Sequence, residues 1–127
     1  MSHLIIVRGL PGSGKSTYAS NLSRRQGMNH YEADMFFERD GEYNFQPNKI
    51  RFAHQWCQNK VYESLNSGEN TVVSNTFCEY WEVKPYVNFC KEHGHTFSFV
   101  VCESQYNSVH DVPESTVKKM RDRWENF

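Results

Sequence analysis

Residues 3–17 read His-Leu-Ile-Ile-Val-Arg-Gly-Leu-Pro-Gly-Ser-Gly-Lys-Ser-Thr, an apolar run of strand length followed from Gly9 by the pattern GxxxxGK[ST]. The run His3 to Arg8 is too short for a helix and is bounded by Gly9, which predicts a buried parallel strand. The residues from about Lys15 to Gln26 predict a helix stopped by Gly27. A glycine-rich turn between such a strand and a helix N-terminus is the context in which this pattern cradles phosphate; outside it, the same residues are a chance turn. Glycine lets backbone N–H groups turn inward around phosphate oxygens, and the positive end of the following helix favours an anion. Gly12, Ser13 and Gly14 are the expected cradle. Lys15 is expected to bridge the β- and γ-phosphates, Ser16 to offer its hydroxyl to Mg²⁺, and Thr17 to contact the α-phosphate.

Outward from this loop the chain alternates strand and helix. Short strands are predicted at His30 to Ala33, Thr71 to Asn75 and about Thr96 to Cys102. A helix is predicted from Pro47 to Ser67, with Ile50, Ala53, Cys57, Val61 and Leu65 at helical spacing. Another spans Trp81 to His93 with Pro85 in its first turn, and a last one runs from about Pro113 with Val117, Met120, Trp124 and Phe127 on one core-facing stripe. Residues 38–46 carry charge, Gly41 and Asn44 without either periodicity and read as a loop. Strands alternating with helices of this length imply βαβ units, so the fold class is α/β, a parallel sheet of four to five strands between helical layers.

The 127 residues, with no repeat or linker-like segment, suit a single domain, 1–127. With 14 Lys+Arg against 15 Asp+Glu the net charge is −1, which excludes a polybasic protein whose whole surface attracts phosphate backbones. Cys57, Cys78, Cys90 and Cys102 form no CxxC pair and read as reduced core thiols, hence a cytoplasmic protein. No run is long enough for a membrane span and no signal-peptide pattern opens the sequence.

Ligands of such sheets lie outside the carboxyl ends of the strands. Asp34, just after the second strand, is placed there to face the γ-phosphate and accept the proton of an incoming hydroxyl. Taken alone, it reads first as a helix-cap or turn aspartate. Ser74 stands at the end of the third strand, where many phosphate-loop proteins carry a metal-holding aspartate. Ser74, Asn75 and Thr76 are either a neutral metal-shell set or satisfy strand-end backbone groups.

GLPGSGKST at 9–17, EADMFFERDGEYNFQP at 32–47, AHQWCQ at 53–58, VVSNTF at 72–77, WEVKPY at 81–86 and HDVPESTVKKMRDRWE at 110–125 together resemble the polynucleotide-kinase-like P-loop family and its small phage and bacterial AAA-type kinase-like ATPases. The resemblance covers nearly the whole chain. It implies a three-layer P-loop NTPase sandwich, ATP and Mg²⁺ as cofactors, Asp34 as catalytic base, Lys15 and Ser16 as the phosphate-loop pair, and a lid before Val112-Pro113. Family members that phosphorylate hydroxyls usually carry a lid arginine where this chain has Tyr106. Arg39, Arg51, Arg121 and Arg123 are the alternative cations, Arg123 also reading as an ordinary ion-pair partner.

Two functions follow. One is an ATP-dependent kinase acting on a hydroxyl of a polynucleotide 5′-end or a nucleoside-like molecule. The other is a nucleotide-binding ATPase or switch without efficient transfer. Phe36, Phe37, Tyr43 and Phe45 in the loop either stack an unpaired base or close as a flap on the phosphate-loop helix.

Overall fold

Leu4 and Ile6 point to one side of the first strand, and Ile5 and Val7 to the other; both sides are covered. Such a strand belongs in the middle of a sheet with helices on each face. The computed structural model, which describes residues 1–104 and 112–127, places it there. β1 (His3–Arg8) is followed by α1 (Lys15–Gln26), β2 (Asn29–Tyr31), a 3-10 turn (Ala33–Phe37), β3 (Glu38–Arg39), β4 (Glu42–Tyr43), α2 (Ile50–Asn66), β5 (Thr71–Asn75), α3 (Tyr80–His93), β6 (Thr96–Val101) and α4 (Glu114–Asp122). The main sheet has the order β2-β5-β1-β6 and every pairing in it is parallel.

Two apolar layers hold the sheet. Leu4, Ile6 and Val73 pack with Ala53, Cys57, Val61 and Leu65 of α2 and with Val83, Tyr86, Val87 and Cys90 of α3. On the opposite face Val7 and Val72 meet Ala19 of α1 and Met28, with Ile5, Leu22 and Val100 at the margin. The chain steps from β1 to β2 in one direction and from β5 to β6 in the other, so a crevice opens at the carboxyl ends of β1 and β5. Cys57, Cys78 and Cys90 are buried free thiols and Cys102 is half-buried.

Three details differ from the sequence reading. β2 ends at Tyr31, and Ala33–Phe37 coils into a 3-10 turn because the Asn75 side-chain oxygen takes the Ala33 N–H at 2.9 Å, ending the ladder. Residues 38–43 form an antiparallel ribbon. Its tip is Asp40-Gly41, both with positive φ (52° and 80°), the backbone a two-residue hairpin turn requires. α4 ends at Asp122 and buries none of its residues: Val117 and Met120 are half-buried, and Trp124 and Phe127 lie beyond the helix.

Those two rings have a different task. Arg8 is fully buried, and its guanidinium lies 3.9 Å from the Trp124 ring centre and 3.7 Å from that of Phe127. Its N–H groups donate to the carbonyls of Phe77 (3.0 Å), Cys78 (3.2 Å) and Glu125 (2.7 Å). Carbonyl dipoles and ring faces thus replace the water that a buried cation gives up.

Candidate active site

The loop between β1 and α1 is shaped by its glycines. Gly12 and Gly14 take φ of 81° and 85°, which side-chain-bearing residues rarely adopt. Gly9 is required for space: a Cβ there would lie 2.2 Å from the Ser13 hydroxyl and 2.9 Å from the Cys102 carbonyl. That Ser13 hydroxyl is the one buried side-chain polar atom among the described residues without a hydrogen-bond partner. An orphaned buried hydroxyl calls for a partner that the described residues do not supply. Lys15 is half-buried; burial pulls its pKa below the ordinary lysine value, and the charges of Glu32 and Asp34 pull it partly back.

A hydrogen-bond chain crosses the carboxyl ends of β2 and β5. The Ser16 hydroxyl donates to a Glu32 carboxylate oxygen (2.5 Å), and the Ser74 hydroxyl donates to the same oxygen (2.7 Å). With its proton committed to Glu32, Ser74 accepts from His30 Nε2 at 2.9 Å, which fixes the proton of that imidazole on Nε2. Asn75 accepts from the Ala33 N–H and donates toward the Cys57 sulfur. Ser74 and Asn75 therefore hold the segment that carries Glu32 and Asp34.

Asp34 is exposed in the 3-10 turn and receives a hydrogen bond from the Tyr43 hydroxyl at 3.3 Å. Burial first, then the Asp34 charge, push the Tyr43 phenol up to about 12, so Tyr43 remains a donor. The aromatic residues around it pack on α2 and on one another: Phe36 lies 6.2 Å from Trp56, and Tyr43 and Phe45 stack at 6.4 Å. The flap thus closes on α2, not on α1 as the flap alternative had it. Phe37 is buried, Phe36 and Tyr43 are half-buried, and Phe45 is the exposed ring of the set.

Lys15, Ser16, Glu32 and Asp34 thus converge at one end of the sheet, with Gly12 to Gly14 behind them. Of the alternative cations, Arg123 pairs with Glu79 at 3.1 Å, as an ordinary ion-pair partner does. Arg39 and Lys49 line a cavity of about 410 Å³ with Phe36 and Glu42. The lid segment, including Tyr106, lies outside the described residues. Sequence reasoning missed Glu32 and the bond from Tyr43 to Asp34, Tyr43 reading only as a stacking or flap aromatic. For Glu32 the signal was an acidic residue two positions before Asp34 on the strand-end segment; for the Tyr43 bond it was the Asp40-Gly41 turn, which returns the chain to Asp34.

A family model described as the AAA domain matches residues 4–107. The chain belongs to the AAA domain family. Human NEDD4-binding protein 2 is 28% identical over 135 residues, which cover 98% of this chain and 8% of that protein. This AAA domain thus spans a small part of the curated relative it matches. Among solved structures, one chain of the Pnkp1/Rnl/Hen1 RNA repair complex superposes with a TM-score of 0.65 at 22% identity, covering 99% of this chain and 40% of that one. A gluconokinase from Sinorhizobium meliloti gives 0.65 at 19% identity, covering 98% and 75%. These are likenesses of fold, and they place this AAA domain among kinase-like P-loop folds. Among the described residues no helix is long and apolar enough to cross a membrane.

Proposed function

We propose that residues 1–127 form one P-loop domain that binds ATP with Mg²⁺ and transfers the γ-phosphoryl group to a hydroxyl acceptor, with Asp34 as general base. The observation that carries this reading is the shared crevice: a phosphate loop with an orphaned Ser13 hydroxyl, and an exposed carboxylate oriented by Tyr43. Lys15 supplies positive charge to the β/γ oxygens, while Gly12 to Gly14 and Thr17 hold the phosphates. Asp34 takes the proton of the acceptor hydroxyl as its oxygen bonds to phosphorus, and ADP leaves. Mg²⁺ fits the oxygen donors at hand, Ser16 first, and when bound it neutralises phosphate charge.

A polynucleotide 5′-end or a nucleoside-like molecule is the proposed acceptor. The exposed Phe45 ring offers a face to a base, and the fold likeness to a chain of an RNA repair complex agrees. The four free thiols suit a reducing, cytoplasmic setting. Tyr106, standing where the resembling family places an arginine, favours a second reading: a nucleotide-binding ATPase or switch without efficient transfer.

Calorimetry and transfer of labelled phosphate from ATP to 5′-hydroxyl DNA, RNA and nucleosides separate the two. Lys15→Ala should abolish ATP binding. Asp34→Asn should leave ATP affinity nearly intact and cut transfer by roughly 10²- to 10⁴-fold. ATP binding with no labelled acceptor would select the switch.

A further inference from the structure

At the end of β5 the chain has a neutral Ser74, yet negative charge is present beside it. One Glu32 oxygen lies 2.7 Å from Ser74 Oγ and 2.5 Å from Ser16 Oγ. Three oxygens from three separate elements, the start of α1 and the ends of β2 and β5, meet next to the phosphate loop. Neighbouring oxygens on an octahedral Mg²⁺ with bonds of 2.0–2.1 Å are about 2.9 Å apart. Both separations are within a few tenths of an ångström of that spacing. Among the described residues no group of three His, Cys, Asp or Glu side chains is arranged to hold a metal, so any cation here is held by this mixed set and by phosphate.

We infer that Glu32 is the metal carboxylate of this AAA domain, supplying from the end of β2 the charge that Ser74 cannot supply from the end of β5. The inference rests on the P-loop binding nucleotide with Mg²⁺, as proposed above. Ser16 and Ser74 hold the carboxylate in place while no metal is bound. On metal binding the Ser16 hydroxyl turns its lone pair to the cation, and Glu32 follows as the anionic ligand, directly or through one water. His30, by donating to Ser74, keeps the Ser74 proton aimed at Glu32. The competing view is a neutral staple, in which Glu32 only ties β2 to β5 and α1. A glutamine accepts the same two hydrogen bonds, so the two views part on charge alone.

The test is Glu32→Gln, read by Mn²⁺ titration followed by electron paramagnetic resonance in the presence of ADP, beside calorimetry of ADP in EDTA. We expect Mn²⁺ affinity to fall by about 10- to 100-fold while metal-free ADP binding is unchanged or slightly tighter. Adding Ser74→Asp to that variant should recover most of the lost affinity. Wild-type Mn²⁺ affinity in Glu32→Gln would overturn the assignment in favour of the staple. If the glutamine variant does not fold, Glu32→Asp carries the test: drawing the charge back by one methylene should weaken Mn²⁺ severalfold at unchanged metal-free ADP affinity, and no weakening overturns the inference. A wild-type protein that binds ADP in EDTA but does not take up Mn²⁺ would refute this inference and leave the phosphate loop standing. A protein that binds no nucleotide at all would remove both.

Discussion

A methyl group on Gly9 would meet the Ser13 hydroxyl and the Cys102 carbonyl inside contact distance, so this residue is fixed by the close approach of the loop to the end of β6. Gly9→Ala should destabilise the fold by about 1–3 kcal/mol, as overpacking does, and weaken nucleotide binding by displacing Ser13. Thermal unfolding and calorimetry read both; an unchanged protein would mean that the loop yields without cost. The placement of Lys15 and Asp34 at the carboxyl end of the sheet was legible because each stands at a position a motif or a strand end specifies. Glu32 was not, because its meaning depends on two hydroxyls that come near only after β2 and β5 pair. Ser74 was read correctly as neutral, but a single residue type cannot reveal a charge donated by the neighbouring strand.

Among the elements, the β3–β4 ribbon contributes most to the site beyond the phosphate loop. Its Asp40-Gly41 tip is a hairpin signal in the sequence, and the absence of apolar alternation around it is what concealed the strands. The ribbon returns Tyr43 to Asp34 and lays Phe37 and Phe45 beside it. Tyr43→Phe keeps the ring packing and removes only the hydroxyl. If Asp34 is the base, transfer should fall roughly 3- to 30-fold while ATP affinity stays the same; equal activity would show that the carboxylate is held by other means. The helices α1, α2 and α3 and the four sheet strands were readable from periodicity and glycine stops. The last helix was overextended, because Trp124 and Phe127 continue the helical spacing of Val117 and Met120 yet fold back onto Arg8, a partner more than a hundred residues away in sequence.

For the molecule as a whole, acid sensitivity follows from two half-buried imidazoles, His30 and His54. Burial lowers the pKa of His30, with Glu32 opposing, and of His54, with Glu82 and Asp34 opposing. The unfolded chain therefore takes up these protons first. Stability from the neutral rings is complete above the ordinary histidine value of about 6.5 and is lost as pH falls through it toward the lower folded values. The melting temperature should drop between about pH 7.5 and 5.5, and His54→Gln should flatten that drop; an unchanged slope would assign the acid sensitivity elsewhere.

The stacking of Trp124 on Arg8 also gives the molecule an optical readout. The indole sits over the residue that immediately precedes Gly9, so a change in the loop's backbone alters the field at a fluorophore. In a protein carrying Trp56→Phe and Trp81→Phe, Trp124 is the sole indole left, and its emission should shift or change intensity on addition of ADP. The same titration on Lys15→Ala should stay flat, and a flat response in the protein that retains Lys15 would mean that the tail and the loop respond to ligand independently.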